Sequence, residues 1–174
     1  MRSKLLFILA GWLLLGIGPA ISQSLNLPPR APGALTGTQF ASFITPMPSP
    51  PAAERENWIY AQVMSGNIPD FLRPLAPVTV SAQINGINHT ATYYVTPDYL
   101  AIGSDADYFL EPGTPLLAQR LCDALGCTLP TRKMVNQIWT QAAVKLAPKT
   151  IPPSAEMTTV PVFAEHNYMV YTQR

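Results

Sequence analysis

The chain has 174 residues and a net charge of +1, with 12% charged and 48% hydrophobic residues. This near-neutral composition offers no basic surface for nucleic acid, and the hydrophobic share excludes an acidic disordered tail. About 150 residues remain beyond an apolar N-terminal segment, which is enough for one domain with its own hydrophobic core.

The N-terminus has the pattern of a signal peptide. Arg2 and Lys4 precede an uncharged apolar run that ends at Gly18, and small residues precede a cleavage site after Ser22. An uncleaved anchor is the alternative, but the run is shorter than the roughly 20 apolar residues of a membrane span. We therefore expect residues 1–22 to be a cleaved signal peptide, no later membrane span, and a secreted or periplasmic protein.

A proline-rich segment follows the leader. Residues 23–51 contain seven prolines and no periodic apolar pattern. Because proline fixes φ and lacks a backbone donor, this composition predicts an extended linker, with a disordered tail as the alternative. The folded unit is then expected to comprise residues 52–174.

The first predicted elements of this unit are a helix and a β-hairpin. The helix is expected over Ala52 to Ser65, with acidic residues near its start. Residues 78–84 then alternate between apolar and polar, Asn85-Gly86 follows, and residues 87–95 read as a second strand. Alternation around Asn-Gly predicts a hairpin with a two-residue turn. Two further strands, Tyr99 to Ile102 and Tyr108 to Leu110, extend the predicted meander.

A helix over residues 115–125 is predicted next, with a cysteine pair at its end. Thr114 is a typical N-cap residue and Gly126 a typical residue past the C-terminus. In such an ending the positions of Cys122 and Cys127 are in contact, and exported proteins meet an oxidising environment. We expect a Cys122–Cys127 disulfide worth about 2 kcal/mol. The alternative is a free nucleophilic cysteine that works with a histidine.

The last predicted elements are a second helix and a strand. The helix begins after Thr131, carries a broad apolar stripe and ends at Pro148. Residues Met157 to Tyr171 then read as a strand interrupted by Pro161. The whole pattern predicts an α+β fold, a mostly antiparallel β-meander with a helix pair packed on one face.

The two histidines are candidate catalytic residues. His89 lies on the apolar face of the predicted hairpin, where it would be a general base or a half-buried structural histidine. His166 lies between Glu165 and Asn167, and strand alternation would point it away from both. No complete catalytic motif accompanies either histidine.

Asp105 and Asp107 are candidate ligands for a hard cation. They lie in a stretch, residues 74–119, that contains four acidic residues and no Lys or Arg. A calcium loop needs several more oxygen ligands at fixed spacing, and a turn stabilised by aspartate side chains explains the same residues. We expect no cofactor, and keep calcium or a cationic ligand as an alternative.

Thr131, Arg132 and Lys133 form a candidate anion site. Two cations at the start of a helix oppose the helix dipole, where Asp or Glu would be usual. Free backbone donors, a hydroxyl and two cations would together accept phosphate, sulfate or a carboxylate. The alternative is a pair of solvated side chains.

Three segments carry a family resemblance: Asp98-Tyr-Leu-Ala-Ile-Gly-Ser-Asp-Ala-Asp-Tyr-Phe109, Leu129-Pro-Thr-Arg-Lys-Met-Val135 and Phe163-Ala-Glu-His-Asn167. From about Gly66 onward the chain resembles secreted bacterial proteins of unassigned function. Longer members of that family continue with further histidine-bearing motifs. The resemblance implies that this chain corresponds to their N-terminal part, so that a shared active site would be incomplete here.

Two functions are consistent with these observations. The first is a secreted, non-catalytic binding module of the cell envelope or extracellular space, with an anionic small molecule or an envelope component as partner. The second is the N-terminal part of an envelope hydrolase to which His89, His166 and Asp105 or Asp107 contribute. We also expect self-association through the predicted C-terminal strand, since it would leave an unpaired edge.

Overall fold

The computed structural model describes residues 23–47 and 53–173. The predicted signal peptide, residues 1–22, lies outside these ranges, as do residues 48–52. In chain order the elements are α1 (Gly37–Ile44), α2 (Ala53–Met64), a 3-10 turn (Asp70–Leu72), β1 (Ala76–Ile84), β2 (Ile87–Val95), β3 (Ala101–Ser104), β4 (Asp107–Leu110), α3 (Pro115–Leu125), α4 (Arg132–Gln141), a second 3-10 turn (Ala155–Thr158) and α5 (Val160–Tyr171).

The strands form two separate antiparallel sheets of two strands each. β1 pairs with β2 over their whole length, from Ala76 opposite Val95 to Ile84 opposite Ile87, which confirms the predicted register. Asn85 and Gly86 both have positive φ, as a type I′ turn requires. β3 pairs with β4 but not with the first hairpin, so the sheet is not one continuous meander. The α+β class with antiparallel pairing is confirmed.

The extended linker predicted for residues 23–51 is wrong within its described part, because residues 37–44 form helix α1. Thr36 and Gln39 form a capping box at the start of this helix. Phe40 and Ile44 lie four residues apart, hence on one helix face, and both are fully buried. The prolines flank this short amphipathic segment but do not interrupt it.

The part of the proline-rich segment that precedes α1 is also tied to the fold, through Asn67. The Asn67 side chain accepts a hydrogen bond from Arg30 Nε at 2.8 Å and donates to the Leu35 carbonyl at 3.0 Å. The backbone carbonyl of Asn67 accepts the N–H of Gly103 at 3.2 Å. Asn67 therefore joins the N-terminal segment, the end of α2 and strand β3.

The strand predicted for Met157 to Tyr171 is wrong, because residues 160–171 form helix α5. β-branched and aromatic residues suggested a strand, but they also fit helical spacing: Val160, Phe163 and Ala164 pack towards the core. Pro161 lies in the first helical turn, where its missing N–H costs nothing. The predicted self-association through a C-terminal strand has no strand to act through.

One hydrophobic core unites the helices with the second hairpin. α1 packs on β3 and β4, α2 packs on α3 and β3, and α5 covers α1 and β4. The buried apolar side chains are Phe40, Ile44, Ile59, Val63, Ile68, Leu72, Ala101, Ile102, Phe109, Leu117, Leu121 and Val160. The β1–β2 hairpin lies largely outside this core. α4, which ends at Gln141 instead of the predicted Pro148, packs on β1.

Within residues 23–47 and 53–173, no helix has the length and apolar character that crossing a membrane would require.

Candidate functional site

An open groove of about 580 Å³ lies between α1, β4 and α5. Its wall combines short hydroxyl side chains, one carboxylate, one amide and aromatic rings. The lining residues are Gly37, Thr38, Ala41, Ser42, Thr45, Ala106, Asp107, Tyr108, Phe109, Ala164, Asn167, Tyr168 and Tyr171. A concave surface that mixes apolar faces with a few polar groups is typical of a ligand site.

Two glycines allow the α1 side of the groove to form. A Cβ atom on Gly37 would lie 2.3 Å from the Tyr108 carbonyl carbon, and one on Gly103 would lie 2.6 Å from the Gly37 nitrogen. Gly103 also has a φ of 125°, which other residues rarely adopt. The first turn of α1 can therefore lie directly on the β3–β4 hairpin.

This close approach places Asp107 at the start of α1. Its Oδ1 atom accepts hydrogen bonds from the Thr38 N–H at 2.9 Å and from the Thr38 hydroxyl at 3.0 Å. Partial burial by itself would raise the pKa of Asp107, but hydrogen bonds from Thr36 and Thr38 outweigh it and lower that pKa. Asp107 is therefore a charged acceptor that holds α1 against the hairpin at one wall of the groove.

Helix α5 supplies the opposite wall. Asn167 Oδ1 accepts the Leu110 N–H at 3.1 Å, which satisfies a donor on the outer edge of β4. The ring of Tyr171 packs edge-on against Tyr108, with centroids 5.9 Å apart. Tyr168 and Tyr171 nevertheless remain 69% and 51% exposed. The Tyr171 ring is thus held against Tyr108, and the rings of Tyr168 and Tyr171 are both open to a ligand.

Two ionisable side chains, Glu111 and Arg55, are buried together, and Arg55 lies against the N-terminal half of α5. Both carboxylate oxygens of Glu111 and the Nε of Arg55 are inaccessible to solvent and have no hydrogen-bond partner. Burial, partly offset by the Arg55 charge and reinforced by Glu56, raises the pKa of Glu111 to about 8. Arg55 donates from Nη1 to the Thr158 carbonyl at 3.3 Å, and its guanidinium lies 5.9 Å from the Phe163 ring centroid. Glu111 is therefore protonated at neutral pH.

The predicted metal ligands do not converge. Asp105 accepts the Phe71 N–H at 3.3 Å, at the first 3-10 turn, whereas Asp107 binds Thr38 on α1. Each carboxylate thus binds the start of a different element, 34 and 69 residues earlier in the chain, whereas the turn interpretation had them bonding their own turn. The described residues contain no group of three or more His, Cys, Asp or Glu side chains suited to a metal ion.

The two histidines are not brought together. His89 is exposed on β2, in the hairpin that lies outside the core. His166, on α5, makes a 2.8 Å hydrogen bond between its Nε2 and the Lys149 carbonyl. His166 thus ties the connection after α4 to α5.

The predicted anion site at the start of α4 has the expected cap. Thr131 is the N-cap residue, and its hydroxyl accepts the Met134 N–H at 3.3 Å. Arg132 and Lys133 are exposed. The groove combines more features of a ligand site than this helix end does, so the anion site stays a prediction.

The predicted Cys122–Cys127 disulfide is wrong, because both thiols are free. The helix ending itself is as predicted: Gly126 has a φ of 66°, and the N–H groups of Gly126 and Cys127 both donate to the Cys122 carbonyl. Cys127 Sγ lies 3.6 Å from the Leu125 carbonyl oxygen, so it contacts the backbone instead of the other sulfur. Backbone hydrogen bonds close this helix end without a bridge.

Sequence reasoning gave no role to Glu111, Arg55, Asn167 or Tyr168. In the sequence Glu111 is only one member of the acidic stretch, and the charged residues beside it in the structure, Arg55 and Glu56, lie on the distant helix α2. Asn167 and Tyr168 fell in the segment read as a strand. Helical spacing between Ala164, Tyr168 and Tyr171 was the signal that would have placed them on one face.

Comparisons with protein-family models, with curated proteins and with solved structures find no match to this chain.

Proposed function

We propose that the protein is a secreted, non-catalytic binding module that holds its ligand in the groove between α1, β4 and α5. The observation that carries this proposal is the pair of exposed tyrosine rings, Tyr168 and Tyr171, opposite the hydroxyl-bearing first turns of α1. The signal-peptide pattern of residues 1–22 supports export. The family resemblance to secreted bacterial proteins supports the same compartment.

The chemistry of the groove favours a neutral, hydroxyl-rich ligand such as a glycan. Tyrosine rings offer flat apolar faces to the C–H faces of sugar rings, and their hydroxyls remain available for hydrogen bonds. Thr38 and Ser42 add polar groups on the α1 wall, and Asn167 adds one on the α5 wall. Asp107 contributes one negative charge, which disfavours phosphate or carboxylate ligands at this position.

The test is titration of the full chain with neutral tetrasaccharides (chitotetraose, cellotetraose and maltotetraose) by calorimetry. We expect one of them to bind, and Tyr168→Ala to weaken binding about tenfold, which corresponds to about 1.4 kcal/mol. Tyr99→Ala is the matched control, since Tyr99 is 72% exposed and lies outside the groove lining. Absence of binding, or equal binding by wild type and Tyr168→Ala, would overturn the proposal.

A second candidate function is the N-terminal part of an envelope hydrolase. Glu111 supports it, because a carboxyl group that keeps its proton at neutral pH is suited to general-acid catalysis. The resemblance to longer proteins supports it as well. Both carboxylate oxygens of Glu111 are inaccessible to solvent in the described structure, so turnover would require residues or motions beyond this arrangement.

Turnover of peptidoglycan or of peptide substrates distinguishes the two functions. The binding module predicts no hydrolysis by wild type. Hydrolysis that is lost in both Glu111→Gln and His166→Ala would favour the hydrolase. Hydrolysis that survives both substitutions would contradict the roles of Glu111 and His166.

A further inference from the structure

Strand β2 has an outer edge whose backbone groups point away from β1. Residue pairs along an antiparallel ladder alternate between hydrogen-bonded and non-hydrogen-bonded. Thr79 belongs to a non-hydrogen-bonded pair, since its N–H and C=O both bond to the Gln141 side chain, at 3.3 and 2.9 Å, and so point away from β2. Its partner Thr92 therefore also directs its N–H and C=O outward. The same alternation applies along β2 to Asn88, Thr90 and Tyr94.

The two edges of this hairpin differ in how they are covered. On β1, the amide of Gln141 bonds to Thr79 as a neighbouring strand would, and Pro77 removes one backbone donor. On β2, the outward groups of Asn88, Thr90, Thr92 and Tyr94 have no hydrogen-bond partner among the described residues, and all four residues are exposed. The edge that is open along its whole length is therefore β2, whereas on β1 only Ser81 and Gln83 keep outward backbone groups without a partner among the described residues.

The open edge also lacks charge. Residues 74–97 contain no Asp, Glu, Lys or Arg. Exposed edges are normally protected by charged side chains, prolines, bulges or a covering element, and β2 has none of these. A strand without Asp, Glu, Lys or Arg can lie beside its own copy without like-charge repulsion, so electrostatics do not oppose pairing of β2 with itself.

The length and parity of β2 fit pairing with itself. Residues 87–95 have Ala91 at their centre. In an antiparallel pair about a twofold axis through Ala91, Asn88 lies opposite the second Tyr94, and Thr90 opposite the second Thr92. All four outward residues then fall in hydrogen-bonded positions, which gives about eight backbone hydrogen bonds. A typical protein interface carries about ten.

We propose that β2 pairs antiparallel with β2 of a second copy of this chain, giving a homodimer with a four-stranded sheet centred on Ala91. The face of the hairpin that bears Ile84 and Ile87, which are 55% and 63% exposed, becomes part of a wider apolar surface across the dimer. A closed twofold contact uses the same edge on both subunits and leaves no free edge of β2 for further addition.

The test compares two proline substitutions in one cross-strand pair. Thr90 and Ser81 face each other, and their hydroxyls are 3.0 Å apart. Thr90→Pro and Ser81→Pro delete the same hydroxyl contact and each replace an outward N–H, but on opposite edges of the hairpin. Sedimentation of the full chain over about a hundredfold range of concentration measures the dimer dissociation constant.

We expect a concentration-dependent dimer for wild type and Ser81→Pro, and at least tenfold weaker dimerisation for Thr90→Pro. Thr92→Lys serves as a second variant if Thr90→Pro fails to fold, because lysine at both copies of the edge would repel without changing the hairpin ladder. A monomeric wild type would overturn the proposal, as would equal loss of the dimer in Thr90→Pro and Ser81→Pro.

Amide hydrogen exchange gives an independent readout. We expect the amides of Asn88, Thr90, Thr92 and Tyr94 to become protected as the protein concentration rises, while Ser81 stays unprotected. A dimer in which these four amides exchange at the monomer rate would place the interface elsewhere and refute the β2 pairing.

Discussion

The carboxylate of Asp107 binds both the N–H and the hydroxyl of Thr38, a residue 69 positions earlier in the chain. This contact joins the turn of the second hairpin to the first turn of α1. A carboxylate at that end of a helix also interacts favourably with the helix dipole. One side chain thus fixes the wall of the groove.

Asp107→Asn should lower the free energy of unfolding by about 0.5 kcal/mol at neutral pH, because the amide oxygen can still accept the Thr38 hydrogen bonds but the charge that interacts with the helix dipole is lost. Because the pKa of Asp107 is lower in the folded protein, the stabilisation is fully present above its ordinary, unfolded-state pKa of 3.8 and disappears as pH falls through the lower folded value. Urea unfolding of both proteins at pH 7 and pH 3 measures this. An equal difference at both pH values would contradict it.

Glu111→Gln should stabilise the protein at neutral pH. Burial raises the folded pKa from 4.5 to about 8, so ionisation favours the unfolded chain between these values. Wild-type stability should therefore fall as pH rises from 4.5 to about 8, and the gain from glutamine should reach about 3 kcal/mol at pH 7. Glu54→Gln, at an exposed position on α2, is the control. Parallel pH profiles for wild type and Glu111→Gln would refute the burial of this carboxyl group.

Gly37→Ala should destabilise the fold by about 3 kcal/mol, because the new methyl group would meet the Tyr108 backbone, which cannot move aside as a side chain can. Gly113→Ala is the control, since the nearest atom there is the end of the Leu117 side chain at 3.0 Å. Thermal unfolding of both variants checks this prediction. A Gly37→Ala protein as stable as wild type would show that α1 does not rest on the hairpin.

Titration of denatured, unreduced protein should find two free thiols. In the folded protein Cys127 should react first, because it is exposed, whereas Cys122 is half-buried and burial raises the pKa of its thiol. Time-resolved reaction with a disulfide reagent, with Cys127→Ser to assign the phases, measures the order. Equal rates for both thiols would contradict the difference in burial.

Local patterns predicted those elements whose signals are contained within a few neighbouring residues. Asn85-Gly86 between alternating strands determined the first hairpin and its register, and Thr114 with Gly126 determined α3. In both cases a turn or a cap specifies the conformation by itself.

Elements with ambiguous local signals were predicted wrongly. Residues 160–171 have strand-like composition, but burial of Val160 against the distant core selects the helix. The eight residues of α1 are too few to form a stable helix alone. The surrounding prolines therefore indicate a linker more strongly than the Phe40–Ile44 spacing indicates a helix.

The candidate site escaped prediction for the same reason. Its walls come from α1, one of the segments predicted wrongly, and from α5, the other. The hydrogen bonds that hold the two walls of the groove join Asp107 to Thr38 and Asn167 to Leu110, residues that are 69 and 57 positions apart. Spacing rules along one element cannot detect such pairs.

The side-chain hydrogen bonds of Asn67 limit how far the chain can be shortened from its N-terminal side without loss of stability. A shortened protein starting at Ala53 would lose Arg30 and Leu35, which hold the Asn67 side chain, and would leave that buried amide with unmet hydrogen bonds. Recombinant fragments that omit residues 23–47 should therefore be prone to proteolysis. Residues 23–47 therefore fold together with the helices as part of one cooperative unit.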